Sequence, residues 1–465
     1  MDFFVTRFGV SNAQLWIYNI FLIVYFVYLF QKYNKSNVAQ YIIFLFTVGI
    51  AADMGRLLSL GNTASHIYLL TSAIWGIFLL HKYGFTIRRG ILFSYIIYII
   101  YFVTCSIIIH KDNALLVTSQ SFKYTVPLIV FFVVDAYIVA SKRKGVILIH
   151  KVLNDIIIAQ ILFCLFKLCV LQATQEGLVG SLTGRDGGGA GTSFPLLCML
   201  WLAFVSKMKF SRKFWYYTLG FIFIGFMTGK RAIWLVFPLE FIVLYIYYRA
   251  KDISSLIKYI VPALLIVCGF LYFGVKLSPT LNPDKKVWGR FDLEYTYSYI
   301  ISYSGGSETS AGKTSINEGD GRLGAALLLW NDVTDVVNYD KQVLLGVGNE
   351  QIKYYDRENY SDRDTNLGVS YRGGITGIVF MYFISGILGV ILFFIYLYNM
   401  FVQSSKSKIV WIVFGITMFD FIFYNGQIIN NVPMMSMLFL LILICRIGVY
   451  NKIKIYNESV NCSKQ

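Results

Sequence analysis

Charged residues are scarce in this chain of 465 residues: Asp, Glu, Lys and Arg make up 14% of it, and hydrophobic residues make up 57%. An ordinary soluble domain has roughly 45–50% apolar residues and about 25% charged ones, so the composition excludes a soluble globular protein. Uncharged apolar runs of about 18 or more residues recur along the chain, which is the length a helix needs to cross a bilayer. The composition therefore predicts a polytopic membrane protein.

Several familiar signatures are also missing. The first apolar run, from about Leu15, has no basic flank or small-residue cleavage site, so we expect no cleaved signal peptide. Gly346-Val347-Gly348 lacks the third glycine and the strand-to-helix context of a nucleotide-binding loop. His66 and His110, at the outer ends of predicted spans, have no metal-ligand spacing and are interpreted as interfacial packing. None of the seven cysteines falls in the long polar segment, so no cofactor, disulfide or metal site is expected.

About thirteen apolar segments, within a range of 12–14, are predicted to span the membrane as helices. The predicted fold is an all-α polytopic bundle in which residues 1–277 hold ten spans, 278–373 form one large polar loop, 374–449 hold three spans and 450–465 form a tail. The spans are about 14–31, 38–52, 64–80, 91–109, 125–140, 146–171, 193–206, 214–228, 232–248, 256–277, 374–402, 409–426 and 432–449.

The connections between these spans alternate in charge. One set, which includes Lys142–Lys144 and Lys207–Lys213, is rich in cations and is predicted to be cytoplasmic by the positive-inside rule. This orientation places the loop 278–373, which holds 14 of the 25 acidic residues, on the outer face. The net charge of +16 is concentrated in short topological clusters, so no nucleic-acid partner is predicted. The outward connections hold few cations: Arg7, Arg56, Lys111, Lys123, Arg185, Lys230 and Arg231.

Four outward positions combine arginine with glycine near the boundary of a span. Arginine binds phosphate through two parallel N–H donors, and glycine lets the backbone approach the same oxygens. A diphosphate at the membrane surface is therefore a natural ligand. The alternative interpretation is that arginines at span ends are anchored in lipid headgroups. The four positions are Gly184-Arg185, Gly229-Lys230-Arg231, Gly321-Arg322 and Arg372-Gly373.

Ionisable residues inside predicted spans form a second class of candidates. A charge that faces lipid costs at least about 3 kcal/mol, so each should face a partner or a water-filled cavity. Structural pairing and ion coupling in a transporter are the two alternatives. The acidic pairs of the polar loop, Asp332 with Asp335 and Asp362 with Asp364, are interpreted as solvated surface. The intramembrane residues are Asp135, Asp155, Lys167, Glu240 and Asp420.

The order of several short motifs resembles the O-antigen polymerase and ligase superfamily, over about Gly184–Gly389. The overall architecture agrees, because these proteins have many spans and one long periplasmic loop late in the chain. The motifs are Thr192-Ser193-Phe194-Pro195 after the Gly-Arg loop, Thr228-Gly229-Lys230-Arg231-Ala232, Gly321-Arg322 to Trp330, Leu345-Gly346-Val347-Gly348, Asp364-Thr365-Asn366 and Gly374-Ile375-Thr376-Gly377.

The resemblance implies a GT-C-like membrane glycosyltransferase in a bacterial cytoplasmic (inner) membrane. Its donor and acceptor would be polyprenyl-diphosphate-linked oligosaccharides, which it would join into O-antigen or capsular polysaccharide at the periplasmic face, without a cofactor or metal. Membrane lipid and a chain-length regulator protein are further candidate partners. Arg185, Arg231 and Arg322 match the arginines that such enzymes direct at the diphosphate. Other candidates for substrate binding are Lys230, Arg372, Asp364, Asn366 and Tyr360.

One position departs from the ligases of this superfamily. They typically carry a histidine where this chain has Thr365, and threonine has no basic nitrogen near neutral pH. A polymerase is therefore favoured over a ligase, and no general base is assigned. A lipid-linked oligosaccharide flippase or another secondary transporter is the alternative from a different class. Such a protein should have two related halves and short loops, and this sequence has neither.

Overall fold

The computed structural model describes the chain in eleven stretches, and 86% of the described residues are helical, with no strand among them. The all-α class is confirmed for this part of the chain. The stretches are 11–84, 88–171, 179–183, 190–228, 232–249, 253–278, 281–303, 343–348, 376–404, 408–424 and 426–445.

The described helices from α1 to α6 follow one another with short connections, whereas 73 residues separate α11 from α12. A π-helical turn (Cys105–Ile109) extends α5, and a 3₁₀ turn (Gly180–Leu182) lies between α6 and α7. The helices are α1 (Asn12–Lys32), α2 (Asn37–Leu45), α3 (Val48–Leu57), α4 (Thr63–Tyr83), α5 (Arg89–Thr104), α6 (Ala114–Leu171), α7 (Ala190–Ser206), α8 (Arg212–Met227), α9 (Ala232–Arg249), α10 (Ile253–Leu277), α11 (Leu293–Tyr303), α12 (Gly377–Ser404), α13 (Ile409–Phe423), α14 (Gln427–Asn430) and α15 (Val432–Cys445).

Six of the described helices are long and apolar enough to cross a membrane, or seven spans result if the bent pair α2 and α3 counts as one. The outer surface of these helices is apolar: Ile17 is 54% exposed, Ile74 59% and Phe93 67%. Contiguous apolar surface of this kind is suited to lipid rather than to water. The polytopic membrane class is supported, while the count of thirteen spans and the GT-C-like arrangement remain predictions.

Two predicted spans, 125–140 and 146–171, lie in the single run of α6, which has 58 residues. A straight helix of that length would measure about 87 Å, far more than the roughly 30 Å of hydrocarbon in a bilayer. The backbone leaves the helical conformation at Lys142 (φ 52°, ψ −129°), inside a basic cluster assigned to a cytoplasmic connection. Because α6 begins at Ala114, Lys123 lies on a helix and not, as the charge pattern suggests, in a connection.

The predicted span 38–52 is divided into α2 and α3, which are bent by 55°. Thr47 lies at the break, and its Oγ1 donates to the carbonyl three residues earlier, at 2.7 Å. The Ser181 hydroxyl donates to the Phe46 carbonyl at the same break, at 2.5 Å. Gly49 permits this approach, since a Cβ there would lie 2.6 Å from the Ser181 carbonyl oxygen. Interrupted helices are tolerated at membrane depth only where protein groups satisfy the backbone in this way.

A second interruption lies in α12 at Gly386, whose φ is +65°. The carbonyls of Phe383 and Ile384 precede it, and the described segment 343–348 donates two backbone N–H groups to them, at 2.8 and 3.2 Å. The Leu345-Gly346-Val347-Gly348 motif lies in this segment. Residues 343–348 of the long polar segment are therefore docked into a helix break, where Gly386 has a conformation that other residues rarely adopt.

Ion pairs join several of the basic connections at one end of the bundle, which we call the basic end (Lys32, Arg88 and their partners). The Lys32 Nζ lies 2.6 Å from the Asp155 carboxylate and joins α1 to α6. The Arg88 guanidinium lies 3.1 Å from Asp135 of α6 and donates to the Gln403 carbonyl of α12, at 2.6 Å. The cations of this end thus hold helices together.

Candidate functional site

The eight residues predicted to act on substrate lie outside the described residues, as does Thr365. The four segments that carry them are each flanked by described residues: 183 and 190, 228 and 232, 303 and 343, and 348 and 376. These flanks show which helix ends carry each segment. The eight residues are Arg185, Arg231, Arg322, Lys230, Arg372, Asp364, Asn366 and Tyr360.

The helix ends next to the Arg185 and Arg231 segments touch each other. Gly191 lies in the first turn of α7, and Thr228 is the C-cap residue of α8. A Cβ at Gly191 would come within 2.5 Å of the Thr228 Cβ, so only glycine permits this approach. The two segments therefore leave the bundle from adjacent points.

The start of α12, which follows Arg372 in the chain, belongs to the same group. The Gly377 N–H donates to the Tyr424 carbonyl at 2.9 Å. The Thr192 hydroxyl lies 3.2 Å from the Tyr424 hydroxyl. Tyr424 therefore links the first turn of α7 to the first turn of α12. We call this group of helix ends, formed by Thr192, Thr228, Gly377 and Tyr424, the junction.

A buried carboxylate holds the chain beside the junction. Asp420 is 1% exposed. The Ser193 hydroxyl donates to its Oδ1 at 2.5 Å, and the Ile428 N–H donates to its Oδ2 at 2.7 Å. The Asp420 carbonyl accepts from the Gly426 N–H at 2.9 Å. A carboxylate inside the membrane is costly in free energy unless it is hydrogen-bonded, and Asp420 has such partners.

The 3₁₀ turn that leads toward the Arg185 segment is held by buried polar groups. Lys167 of α6 is fully buried, and its Nζ lies 3.5 Å from the carbonyl oxygens of Gly180 and Thr183. Carbonyl dipoles around a buried ammonium offset part of its desolvation cost. Lys167 therefore positions the chain that immediately precedes the Arg185 segment.

The same 3₁₀ turn makes further hydrogen bonds to α6 and to the residue that precedes α15. The Gln160 amide of α6 accepts from the Ser181 N–H at 2.9 Å and donates to the Ser181 hydroxyl at 2.8 Å. The Asn431 amide, at the start of α15, donates to the Leu182 carbonyl at 3.2 Å. The turn thus connects the α2 and α3 break to the region of the junction.

Glu240 of α9 differs from the other intramembrane ionisable residues. Its side chain is buried, at 4% exposed, and neither carboxylate oxygen has a hydrogen-bond partner within the described part of the chain. Asp135, Asp155, Lys167 and Asp420 have the partners described above. The expectation of a partner is therefore met at four positions and not at Glu240.

A cavity of about 590 Å³ is lined by the N-terminal parts of α4 and α6, and we call it the side cavity. The first turns of α4 and α6, the start of α3 and the connection between α14 and α15 line it. Asn431 belongs to both features, since it lines the cavity and bonds the 3₁₀ turn. Its polar lining residues include Asn62, His66, Ser119, Gln120, Lys123 and Asn431.

Sequence reasoning did not identify the side cavity. His66 was expected in interfacial packing and Lys123 in a connection, but both line the cavity. The available signal was the spacing of polar residues, Asn62 with His66 and Ser119 with Lys123, since residues four apart share a helix face. Nothing in the sequence shows that these two faces belong to neighbouring helices.

His110 has a different role, in docking the segment 343–348. Its Nε2 lies 3.0 Å from the Leu345 carbonyl oxygen, and the Cys105 Sγ lies 3.2 Å from the same oxygen. The Tyr101 hydroxyl donates to the Ser385 carbonyl, next to the interruption of α12, at 2.7 Å. Residues 343–348 are thereby attached to both α12 and the π-helical turn that extends α5.

Comparison with known proteins finds no family model and no curated protein that matches this chain. The resemblance to the O-antigen polymerase and ligase superfamily stays a prediction based on short motifs. The geometry of the junction and of the side cavity is the independent ground for a functional proposal.

Proposed function

We propose that this protein is a membrane glycosyltransferase that joins polyprenyl-diphosphate-linked oligosaccharide repeat units into a polysaccharide of the O-antigen or capsular type. The observation that carries the proposal is the junction. The segments with Arg185, Arg231 and Arg372 are attached to helix ends that contact one another. Cations that start from adjacent points can bind one diphosphate, although they lie far apart in sequence.

In the proposed reaction, a sugar hydroxyl of the acceptor attacks the anomeric carbon of the donor saccharide. The bond from that carbon to the diphosphate oxygen breaks, and its electron pair leaves with the polyprenyl diphosphate. Arg185, Arg231 and Arg322 stabilise the negative charge that develops on this leaving group. The proton of the acceptor hydroxyl is released, and no residue is assigned as its acceptor because Thr365 has no basic nitrogen.

Reconstitution tests this proposal directly. The purified protein in lipid vesicles is supplied with a lipid-linked repeat unit, and the lipid-linked products are separated by electrophoresis. We expect a ladder of products that differ by one repeat unit. A single unchanged band from correctly folded protein would contradict the proposal.

A deletion strain separates polymerase from ligase. Cells without the protein should attach single repeat units to their surface acceptor and make no long chains. Long chains that remain on polyprenyl diphosphate would instead identify a ligase. Single units trapped on the cytoplasmic face would identify a transporter.

One observation favours the transporter alternative. Interrupted helices near buried charges are typical of secondary transporters, and Asp53 is buried in α3 just after the break. In this chain, however, the Ser181 hydroxyl donates a hydrogen bond to the Phe46 carbonyl at the break. The Lys167 ammonium also lies beside the carbonyls of the adjacent 3₁₀ turn, where a coupling cation would bind. These groups are used for packing, which favours the glycosyltransferase.

A further inference from the structure

The side cavity is lined by polar side chains, including five that make no side-chain hydrogen bond within the described part of the chain. Asn62 and His66 of α4, and Ser119, Gln120 and Lys123 of α6, line it. None of the five makes a side-chain hydrogen bond with another described residue, and Asn62 is the N-cap of α4 without a capping bond. Donors and acceptors on a cavity wall that make no internal bonds are available to a polar ligand.

The arrangement of these side chains suits a saccharide. Asn62 with His66 and Ser119 with Lys123 are each four residues apart, so two neighbouring helices each present a polar face to the cavity. Leu116 adds apolar contact of the kind that the C–H face of a sugar ring needs. The volume of about 590 Å³ lies within the roughly 300–1,000 Å³ of small-molecule sites.

The charge of the lining side chains indicates which charge the ligand carries. Lys123 and His66 are present, and no aspartate or glutamate is found among the described residues that line the cavity. Within the described part of the chain Lys123 forms no ion pair. The N-termini of α4 and α6 also contribute lining residues, and a helix N-terminus carries a partial positive charge. An anionic group on the ligand is therefore favoured.

We infer that the side cavity is a saccharide subsite that binds a sugar with a carboxylate, such as a uronic acid, through Lys123. This inference rests on the proposed function, because the saccharide would be part of a polyprenyl-diphosphate-linked substrate. Asn431 lines the cavity and bonds the 3₁₀ turn that leads to the Arg185 segment. Asn431 thereby links the side cavity to the described chain that precedes the Arg185 segment.

A binding experiment tests the subsite independently of glycosyl transfer. The full-length protein in nanodiscs is titrated with a tetrasaccharide of alternating glucuronate and N-acetylglucosamine, and binding is measured by saturation-transfer NMR. The carboxyl-reduced tetrasaccharide is the neutral control ligand. The test variant is Lys123→Met, and Lys123→Arg is its conservative counterpart. Lys111→Met is the matched control, because Lys111 is exposed and does not line the cavity.

We expect the acidic tetrasaccharide to bind at least about tenfold more tightly than its reduced form, because a charge-assisted hydrogen bond is lost on reduction. Lys123→Met should remove this difference, Lys123→Arg should retain part of it, and Lys111→Met should leave it unchanged. Equal binding of the two ligands, no binding of either, or unchanged selectivity in Lys123→Met would overturn the inference.

A further arm separates the carboxylate from the diphosphate as the partner of Lys123. Binding of farnesyl diphosphate should be unaffected by Lys123→Met and weakened by Arg231→Ala. If Lys123→Met weakens farnesyl diphosphate binding as much as tetrasaccharide binding, the cation serves the diphosphate and the carboxylate assignment is wrong. Failure of the proposed function has a distinct signature: the tetrasaccharide binds selectively, but no ladder forms from lipid-linked units.

Discussion

The basic end of the bundle and the side cavity use cations in different ways. At the basic end, Arg88 is bonded to Asp135 and Lys32 to Asp155, so their charges are neutralised within the fold. In the side cavity, no aspartate or glutamate is found among the described lining residues, and Lys123 forms no ion pair within the described part of the chain. A cation whose charge is compensated stabilises packing, whereas one that faces a cavity without an acid is available to an anionic ligand.

The largest effect is expected from breaking the buried pair of the basic end. Arg88→Ala leaves the Asp135 carboxylate, which is 4% exposed, without its guanidinium and should lower the free energy of unfolding by about 3 kcal/mol. Thermal unfolding in detergent measures this change. Turnover per folded molecule should not fall, because the pair is distant from the junction in the proposed mechanism. The double variant with Asp135→Asn should recover part of the stability, and an unchanged unfolding temperature in Arg88→Ala would contradict the role of the pair.

For the cations predicted to bind diphosphate, we expect a loss of turnover without a loss of stability. Arg185→Ala, Arg231→Ala and Arg322→Ala should each reduce turnover on the order of a hundredfold, because a fixed donor to the leaving group is lost. The amount of protein in the membrane should be unchanged. The ladder assay with lipid-linked units measures turnover, and Arg→Lys variants should recover only part of it because lysine cannot bind in bidentate fashion.

Arg143→Ala, in the basic cluster at the interruption of α6, is the matched control for these variants and should retain turnover. Equal losses in Arg143→Ala and Arg231→Ala would show that any change of surface charge impairs the protein. In that case the distinction between the two ends of the bundle would not hold.

The smallest effect is expected at the exposed margin of the basic end. The Lys32 side chain is 44% exposed, so its pair with Asp155 is screened by solvent and ions. Lys32→Ala should lower the free energy of unfolding by less than about 1 kcal/mol and leave turnover unchanged. Thermal unfolding at low and high salt measures this, and the small difference from wild type should vanish at high salt. An effect as large as that of Arg88→Ala would show that burial does not decide the strength of these pairs.

Helix positions were largely predictable from the sequence. The predicted spans 14–31 and 64–80 correspond to α1 (Asn12–Lys32) and α4 (Thr63–Tyr83), and 91–109 corresponds to α5 with its π-helical turn. These helices are set by long uncharged runs, whose length and composition are local properties. The basic cluster at Lys142 likewise marks an interruption of α6.

The interruptions of α2–α3 and α12 were not predictable. Apolar runs continue through Phe46 and Gly386, and the helix is broken there because Ser181 and the segment 343–348 satisfy the backbone groups at each break. These partners lie 135 residues and 36 residues (Val347 to Phe383) away along the chain, respectively. A local pattern contains no information about a hydrogen-bond partner at that distance.

The sequence by itself determined that the chain is helical, apolar and asymmetric in charge, because each of these follows from which residues adjoin one another. It also supplied the motifs that favour a diphosphate-linked substrate. Only the tertiary structure decided that Thr192, Thr228, Gly377 and Tyr424 meet at one junction. It alone placed Lys123 on the wall of a cavity whose described lining holds no acid, since that wall combines residues from helices that are separated in the chain and adjacent only after packing.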